Sequence, residues 1–511
     1  MKQVAKISKV AGPPGTGKTT YLLGLVAKAC ERYDPERIGC VSYTNSAVET
    51  IKERISFASG ISHDAIQNTR TLHSHCFRLL DLKKDTIADT KIKEWNEQGK
   101  WELPLNNTKG NENEAVSSSF IAFDNRKIFQ QMQILRNRMI PPDQWPANTK
   151  EFYNDWTFWM SINGYTDFIG MLEQVNKQGL IPNIDILFVD ESQDLSLLQL
   201  SILRQWAEQA TSTLYVGDSD QAIFRWAGAS PDDFINLEHD FFKALEQSYR
   251  VPKKVHEYAR RVILQSKHRE DVPYAPTDDE GRVIHSLVYP DLSLDGTHMI
   301  LARCGYQLNR WKNYLISEGI PWHNDYRPSD RGWNPTHTKG WEAVLTYLKL
   351  KNMEAISGVD LQKMIKKIIV KGNLTPGIKT KISKKALPKD VTMFDLYDLG
   401  LFTEEFLTFK KPIHEVFILT GTTAKLIPRM TETDIAKEPR ITLGTIHSSK
   451  GGEADHVWLD AATSSQCMQA IVQEQGTLDD EIRVAYVGVT RAKQTLGLMA
   501  SPGIRNPVLP G

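Results

Sequence analysis

Short apolar runs alternate with helical patterns of apolar positions over the first part of the chain, and the same alternation returns later. The predicted elements are strands at 4–10, 38–43, 184–189 and 213–216 and helices at 21–30 and 46–55. Strands that alternate with helices indicate a parallel α/β sheet, whose ligands collect at the carboxyl ends of the strands. The fold class predicted from this pattern is therefore α/β.

The alternation lapses twice and starts again as a second α/β pattern. Strand-like runs lie at 282–288, 299–303, 441–446, 456–459 and 495–499, and a helical pattern lies at 308–316. We therefore predict four parts: a first lobe from 1–82 and 180–248, a mainly helical insertion at 83–179, a second lobe from 249–323 and 439–511, and a second insertion at 324–438.

The first insertion is rich in tryptophan. These side chains are large apolar bodies, and we expect them to pack in a core rather than to stack on bases. The residues are Trp95, Trp101, Trp145, Trp156 and Trp159.

Length and composition limit the number of domains, the cellular setting and the way in which a nucleic acid could be bound. At 511 residues the chain is long enough for about three or four domains. No apolar run approaches the roughly 20 residues of a membrane span, and the five cysteines are scattered, which argues against disulfides and zinc and suits a reducing cytoplasm. Lysine plus arginine equals aspartate plus glutamate at 62 each, so a nucleic acid would need local basic patches.

A phosphate-binding loop of the type G-x-x-x-x-G-K-[ST] lies between the first strand and the first helix. Glycines let backbone N–H groups close around a polyphosphate, Lys18 would reach the β- and γ-phosphates, and Thr19 would hold Mg²⁺. The alternative, a glycine- and proline-rich turn with a chance lysine, fits the strand–loop–helix setting poorly. The residues expected to bind a nucleoside triphosphate are Gly12, Pro13, Pro14, Gly15, Thr16, Gly17, Lys18, Thr19 and Thr20.

Two later strand ends carry polar residues that complete such a site. Asp190 and Glu191 follow the run 184–189, where Asp190 would order the Mg²⁺ shell and Glu191 would polarise the attacking water. Gln221 follows the run 213–216 and would sense the γ-phosphate or orient water. Phe224 and Trp226, close behind it, offer faces on which bases could stack.

The polar segments follow one order along the chain. They lie at 41–47, 71–74, 189–194, 217–228, 247–250, 445–453 and 485–493, after the phosphate-binding loop. In this order and spacing the chain resembles superfamily 1 DNA helicases of the UvrD/Rep/PcrA type over almost its whole length. The resemblance implies two RecA-like parallel-sheet P-loop lobes, each with a mainly helical inserted subdomain, and it implies ATP and Mg²⁺ as cofactors.

The resemblance also implies roles at the ATP site. Lys18, Glu191 and Gln221 would act from the first lobe, and Arg250 and Arg491 would be arginine fingers from the second. Tyr249 would stack on the nucleotide base, and Glu453 would take the ribose hydroxyl.

Single-stranded DNA would cross the tops of both lobes, with translocation from 3′ to 5′ and unwinding at single/double-strand junctions. We expect a monomer in the cytoplasm of a bacterial or phage-infected cell. The DNA contacts implied by the resemblance are Tyr43, Thr44, Thr71, His73, Phe224, Trp226, Thr445 and His447.

A lysine-rich run in the second insertion is a separate signal. Residues 361–389 contain no acidic residue but nine lysines, while apolar positions recur at helical spacing from Leu361 to Ile369. Lys379 and Lys381, in and after a turn that resembles the duplex-contacting loop of the family, are expected to meet duplex phosphates. The alternative is a lysine face that only meets solvent.

The chain departs from the family pattern at three places. The usual glutamine motif before the phosphate-binding loop is missing, Ala227 stands where many relatives carry arginine, and Gly452 stands where leucine is common. The first departure leaves nucleotide selectivity open. The function we expect is an ATP-dependent DNA helicase of repair, recombination or replication; the alternatives are a translocase that strips proteins from single strands and a nucleotide-gated DNA-binding switch.

Overall fold

The computed structural model describes residues 6–42, 45–63, 66–104, 120–324, 334–379, 389–473 and 475–511. Its two large sheets are parallel throughout and are flanked by helices, which confirms the predicted α/β class with two RecA-like lobes. Within these described ranges, no helix combines the length and the apolar character needed to cross a membrane.

The first sheet has six strands in the order β3–β2–β4–β5–β1–β6. In chain order, its elements and those of the first insertion are β1 Lys6–Ala11, α1 Lys18–Cys30, β2 Ile38–Ser42, α2 Asn45–Ser59, β3 Thr69–Thr71, α3 Leu72–Leu79, α4 Ile92–Asn96, α5 Phe120–Asn137, α6 Ala147–Asn163, α7 Phe168–Gln178, β4 Ile186–Val189, α8 Leu197–Gln209, β5 Ser212–Gly217, α9 Pro231–Ile235 and β6 Phe241–Ala244.

The central strands of this sheet are buried on both faces, as expected for a parallel sheet between helices. One core contains Val26 and Phe188 between the sheet, α1 and α2, and the other contains Leu187 and Trp206 between the sheet, α7 and α8. The edge strand β6 is mostly exposed and shows no period-two pattern, so the sequence did not predict it. Because the strands are parallel, the carboxyl ends of β1, β4 and β5 lie at the same edge of the sheet.

The first insertion forms a core of its own from aromatic side chains. Trp95 lies 5.0 Å from Trp156 and 5.3 Å from Trp159 between ring centroids, and the Trp156 indole N–H donates to Asp167 at 2.8 Å. Trp145 is also buried and Trp101 is half-buried. The predicted use of these tryptophans in packing is confirmed.

The second sheet has five strands in the order β11–β8–β12–β14–β7. In chain order, the remaining elements are α10 Lys253–Ile263, β7 Arg282–Leu287, β8 His298–Ala302, α11 Leu308–Ser317, α12 Lys339–Lys351, β9 Ile356–Ser357, α13 Gly358–Lys367, β10 Asp390–Val391, α14 Met393–Leu399, α15 Glu404–Leu407, α16 Ile413–Val416, α17 Gly421–Leu426, α18 Glu432–Ala436, β11 Ile441–Thr445, β12 Ala454–Asp460, β13 Ala462–Thr463, α19 Ser465–Gln473, α20 Gln475–Val489, β14 Ala492–Met499 and β15 Ile504–Arg505.

The lysine-rich run begins in α13. Leu361, Met364 and Ile365 are fully buried in a core shared with the second sheet, which confirms this part of the predicted apolar face. The helix ends at Lys367, before the predicted end at Ile369, because Ile368 has an extended backbone. Lys379 is half-buried at the end of the following turn. Lys381 lies outside the described residues.

Candidate ATP site and DNA-facing surface

The phosphate-binding loop joins the end of β1 to the start of α1. Gly15 and Gly17 have φ of 77° and 76°, a left-handed backbone that favours glycine. A Cβ built on Gly15 would lie 2.5 Å from Cβ of Arg250, so this position lets the two lobes approach closely. The Gly12 N–H donates to the Gly217 carbonyl at 3.1 Å and ties the loop to the end of β5.

Lys18 begins α1 and points back over the loop. Its Nζ donates to the Gly12 carbonyl at 2.6 Å, while the Thr16 hydroxyl donates to the Pro13 carbonyl at 2.8 Å. Burial lowers the pKa of Lys18, although Asp218 and Glu191 act against this shift. Thr19 is half-buried and Thr20 is exposed on the first turn of the helix, where backbone N–H groups are available to an anion.

Two carboxylates follow β4 and differ in their protonation. Burial, with Glu191 close by, raises the pKa of Asp190 to about 7. Glu191 is half-buried, and although this desolvation raises its pKa, Lys450 and Lys18 hold the pKa below the ordinary value. Glu191 is therefore ionised at neutral pH, whereas Asp190 is a buried acid that a cation would stabilise in its charged form.

Gln221 lies where the two lobes meet. Its Nε2 donates to Asp218 at 2.6 Å, and its Oε1 accepts from Nη2 of Arg491 at 2.9 Å. Arg491 is almost fully buried and also donates to the carbonyls of Val487 and Gly452 at 2.9 and 3.1 Å. The structure thus brings one predicted arginine finger onto the predicted γ-phosphate sensor.

The second arginine, Arg250, lies against Gly15 of the phosphate-binding loop. Arg250 Nε donates to Glu453 at 2.6 Å, and Lys493 Nζ lies 2.6 Å from the other oxygen of the same carboxylate. The Tyr249 N–H donates to the Gly15 carbonyl at 2.8 Å, and its side chain is 78% exposed. The tyrosine ring is therefore accessible for stacking, and Glu453 is oriented by two cations.

Lys450 is a site residue to which the sequence reasoning gave no role. It follows β11 in the second lobe, donates to the Gln221 carbonyl at 2.7 Å, forms an ion pair with Asp194 and lies 3.9 Å from Glu191. Lys450 is the one lysine of the polar segment 445–453, and this position could have indicated a role at the ATP site.

The described residues among the predicted DNA contacts of the two lobes lie near the carboxyl edges of the two sheets. Phe224 packs against Trp226 with centroids 5.9 Å apart, and it lies 6.4 Å from His447 of the second lobe. Trp226 is 63% exposed. The structure thus brings together aromatic rings from both lobes.

Three further described residues that were predicted to contact DNA are less accessible than Trp226. Thr71 caps α3 by accepting from the Ser74 N–H at 3.3 Å, and His73 meets Phe168 edge-on at 6.1 Å. Thr445 is buried and accepts from the Ser448 N–H at 3.3 Å. Tyr43 and Thr44 lie outside the described residues.

Comparison with known proteins agrees with this geometry. Residues 1–242 match the UvrD/REP helicase N-terminal domain, and residues 400–502 match the UvrD-like helicase C-terminal domain. The chain belongs to the superfamily 1 DNA helicases of the UvrD/Rep/PcrA type. It is therefore an ATP-dependent DNA helicase.

Relatives of this helicase include PcrA proteins. It is 28% identical to the ATP-dependent DNA helicase PcrA of Bacillus subtilis (strain 168) over 293 residues, which is 52% of this chain and 39% of that protein. It is 22% identical to PcrA of Staphylococcus aureus (strain NCTC 8325 / PS 47) over 591 aligned positions, covering 94% and 79% of the two chains. The match to PcrA of Leuconostoc citreum is 23% over 632 positions, covering 97% and 81%.

The acidic residues of this UvrD-type helicase fit Mg²⁺ only together with a nucleotide. In the described ranges, no cluster of three or more His, Cys, Asp or Glu side chains could hold a metal ion. Mg²⁺ usually takes one or two protein oxygens and completes its shell with phosphates and water. Asp190 and Thr19 are the residues that would supply such donors if Mg²⁺ is bound together with a nucleotide.

A cavity of about 300 Å³ lies beside the carboxyl ends of β2 and β3 in the first lobe of this helicase. Ser42 Oγ and Asp194 Oδ1 are buried at its wall, and neither has a hydrogen-bond partner among the described residues. Ala227 also lines it, at the position where an arginine is common in the family. The small side chain leaves this space open next to Trp226.

Proposed function

We propose that this helicase moves from 3′ to 5′ along single-stranded DNA and unwinds the duplex at single/double-strand junctions in repair, recombination or replication. MgATP hydrolysed between the two lobes drives the movement. The observation that carries the proposal is the contact of Arg491 and Lys450, from the second lobe, with Gln221 of the first. A site built from both lobes couples hydrolysis to their relative position.

Each residue of the site has a physical task in this proposal. Glu191 accepts the proton of the attacking water, because its carboxylate is ionised at neutral pH. Lys18, Arg250 and Arg491 place positive charge where negative charge develops on the γ-phosphoryl oxygens. Mg²⁺, held by Thr19 and Asp190, would neutralise charge on the β- and γ-phosphates.

Base stacking would let this helicase hold single-stranded DNA independently of the base sequence. Every base has a π-face, and stacking on an aromatic side chain contributes about 1–3 kcal/mol per base. Phe224 and Trp226 in the first lobe and His447 in the second are close enough to hold neighbouring bases. The strand would pass between them as the lobes alternately hold and release it.

The alternative functions make different demands on the chain. A nucleotide-gated switch needs neither an ionised Glu191 nor two arginines at the γ-phosphate, so the geometry disfavours it. A translocase that strips proteins without unwinding would share the whole ATP site. We propose that the protein acts as a monomer in the cytoplasm of a bacterial or phage-infected cell, where free cysteines persist.

Strand displacement tests polarity and unwinding together. With ATP and Mg²⁺, we expect release of the labelled strand from a duplex with a 3′ single-stranded tail and little release from a matched duplex with a 5′ tail. The blunt duplex and the Lys18→Ala variant serve as controls. Preference for the 5′ tail would overturn the polarity, and ATP hydrolysis without any strand release would favour the stripping translocase.

The lysine-rich run should matter for duplex more than for single strands. Neutralising Lys379 and Lys381, together with Lys384 and Lys385, is expected to slow unwinding several-fold because phosphate contacts are lost. ATP hydrolysis stimulated by single-stranded DNA should change less than about twofold. Lys28→Gln, in the last turn of α1, is the matched control. Equal losses of both activities, or no loss of either, would count against duplex contact.

A further inference from the structure

A short charged segment of the second lobe reaches into the first lobe beside the ATP site. We call residues 267–270 the clasp segment; it lies between α10 and β7. Its backbone is held by α20 of the second lobe: the Lys267 N–H donates to Asp479 at 3.2 Å, and Arg483 donates to the His268 carbonyl. Asp479 and Arg483 are themselves buried, so the clasp segment moves with the second lobe.

The first side chain of the clasp segment that crosses between the lobes is Arg269. Its Nη2 and Nε donate to the same oxygen of Asp220 at 2.9 and 3.2 Å. Asp220 is buried in the single turn Ser219–Gln221, which also carries the γ-phosphate sensor. The arginine therefore holds the residue next to Gln221.

The second crossing side chain is Glu270. It forms an ion pair with Lys9 at 2.8 Å, and the Lys9 side chain is completely buried in β1 of the first lobe. Lys9 also donates to the Ile235 carbonyl at 3.1 Å and lies 4.6 Å above the ring of Phe234. A buried lysine in the middle of a parallel strand is costly unless it is paired, so Glu270 fixes the clasp segment firmly on the first lobe.

From this arrangement we propose that the clasp segment positions Gln221 for hydrolysis, with Arg269 acting through Asp220. Arg491 and Lys450 donate to the side-chain amide oxygen and the backbone carbonyl of Gln221, and Arg269 donates to Asp220, the preceding residue. A shift of the second lobe would then move the turn Ser219–Gln221 through these three contacts. The inference rests on the proposed role of Gln221 in ATP hydrolysis, and it adds Arg269 as a positioning residue that acts through Asp220.

A double-mutant cycle separates positioning from general destabilisation. Arg269→Ala is expected to lower kcat of DNA-stimulated ATP hydrolysis by roughly tenfold, with KM for ATP changed less than about twofold. In a Gln221→Ala background the same substitution should cost less than about twofold, because the residue through which it acts is gone. Arg269→Lys should restore part of the rate, since it keeps a cation near Asp220.

Matched variants keep the test decisive. Arg260→Ala, on the exposed face of α10, is the control, and Asp220→Asn repeats the test from the first lobe if Arg269→Ala does not fold. A tenfold loss that persists in the Gln221→Ala background, or an unchanged kcat in Arg269→Ala, would overturn the positioning role. If Gln221→Ala alone leaves hydrolysis unchanged, the proposed ATP site fails as well, which distinguishes the two failures.

Discussion

Glu191→Gln is expected to reduce DNA-stimulated ATP hydrolysis by about 10²–10⁴-fold while leaving ATP binding largely intact. The amide keeps the size of the side chain but cannot accept the proton of the attacking water. In the structure, Lys450 and Lys18 keep this half-buried carboxylate ionised. The substitution removes that negative charge and leaves both lysines in place, so the affinity for a polyanion should not fall.

The measurement pairs turnover with binding. Steady-state hydrolysis with single-stranded DNA gives kcat, and titration with a fluorescent ATP analogue gives the dissociation constant. Glu208→Gln, an exposed position on α8, is the matched control and should behave as the unmodified protein. Turnover within threefold of the unmodified protein would show that Glu191 is not the general base.

Arg491→Ala should lose about 10³–10⁵-fold in kcat, the range associated with an arginine finger. Its guanidinium is almost fully buried and joins the Gln221 amide to carbonyls of the second lobe. Arg491→Lys should recover little, because an ammonium cannot hold these partners in the same planar geometry.

Loss of folding must be separated from loss of chemistry for this buried residue. Thermal unfolding and ATP affinity are measured on both Arg491 variants, with Arg260→Ala as the arginine control. A folded Arg491→Lys variant with near-normal kcat would contradict the finger role. A folded variant that binds ATP but does not hydrolyse it would support the role.

Sequence patterns predicted the features that form within one short segment of the chain. They did not predict the side-chain contacts between the two lobes. The phosphate-binding loop, Asp190 and Glu191 could be found because each follows an apolar strand within a few residues. The exposed edge strand β6 could not, since its side chains show no alternation between core and solvent. Arg269, in a polar loop, meets Asp220, 49 residues earlier in the chain, only through tertiary packing.

The family resemblance supplied the arginines, but it could not supply their partners. Arg491 and Gln221 are 270 positions apart, and no pattern of spacing predicts their hydrogen bond. Likewise, Lys9 lies within the predicted strand 4–10, and its burial follows from contacts with Phe234 and Ile235 of α9 and with Phe242 of β6. Physical contacts of this kind depend on how two separately folded sheets meet, which local periodicity does not encode.

Lys9, buried in β1 of the first lobe, is paired with Glu270 of the second lobe, so the stability of each lobe depends on a residue of the other. Removing one partner of a buried ion pair typically costs about 3–5 kcal/mol, a large share of the stability of a domain. If the second lobe is replaced by that of a relative and Lys9 is kept, the new lobe must therefore carry an acidic residue at position 270. Substitutions at 9 and 270 should accordingly be tolerated together more readily than singly, so that the two positions change in step as the protein evolves.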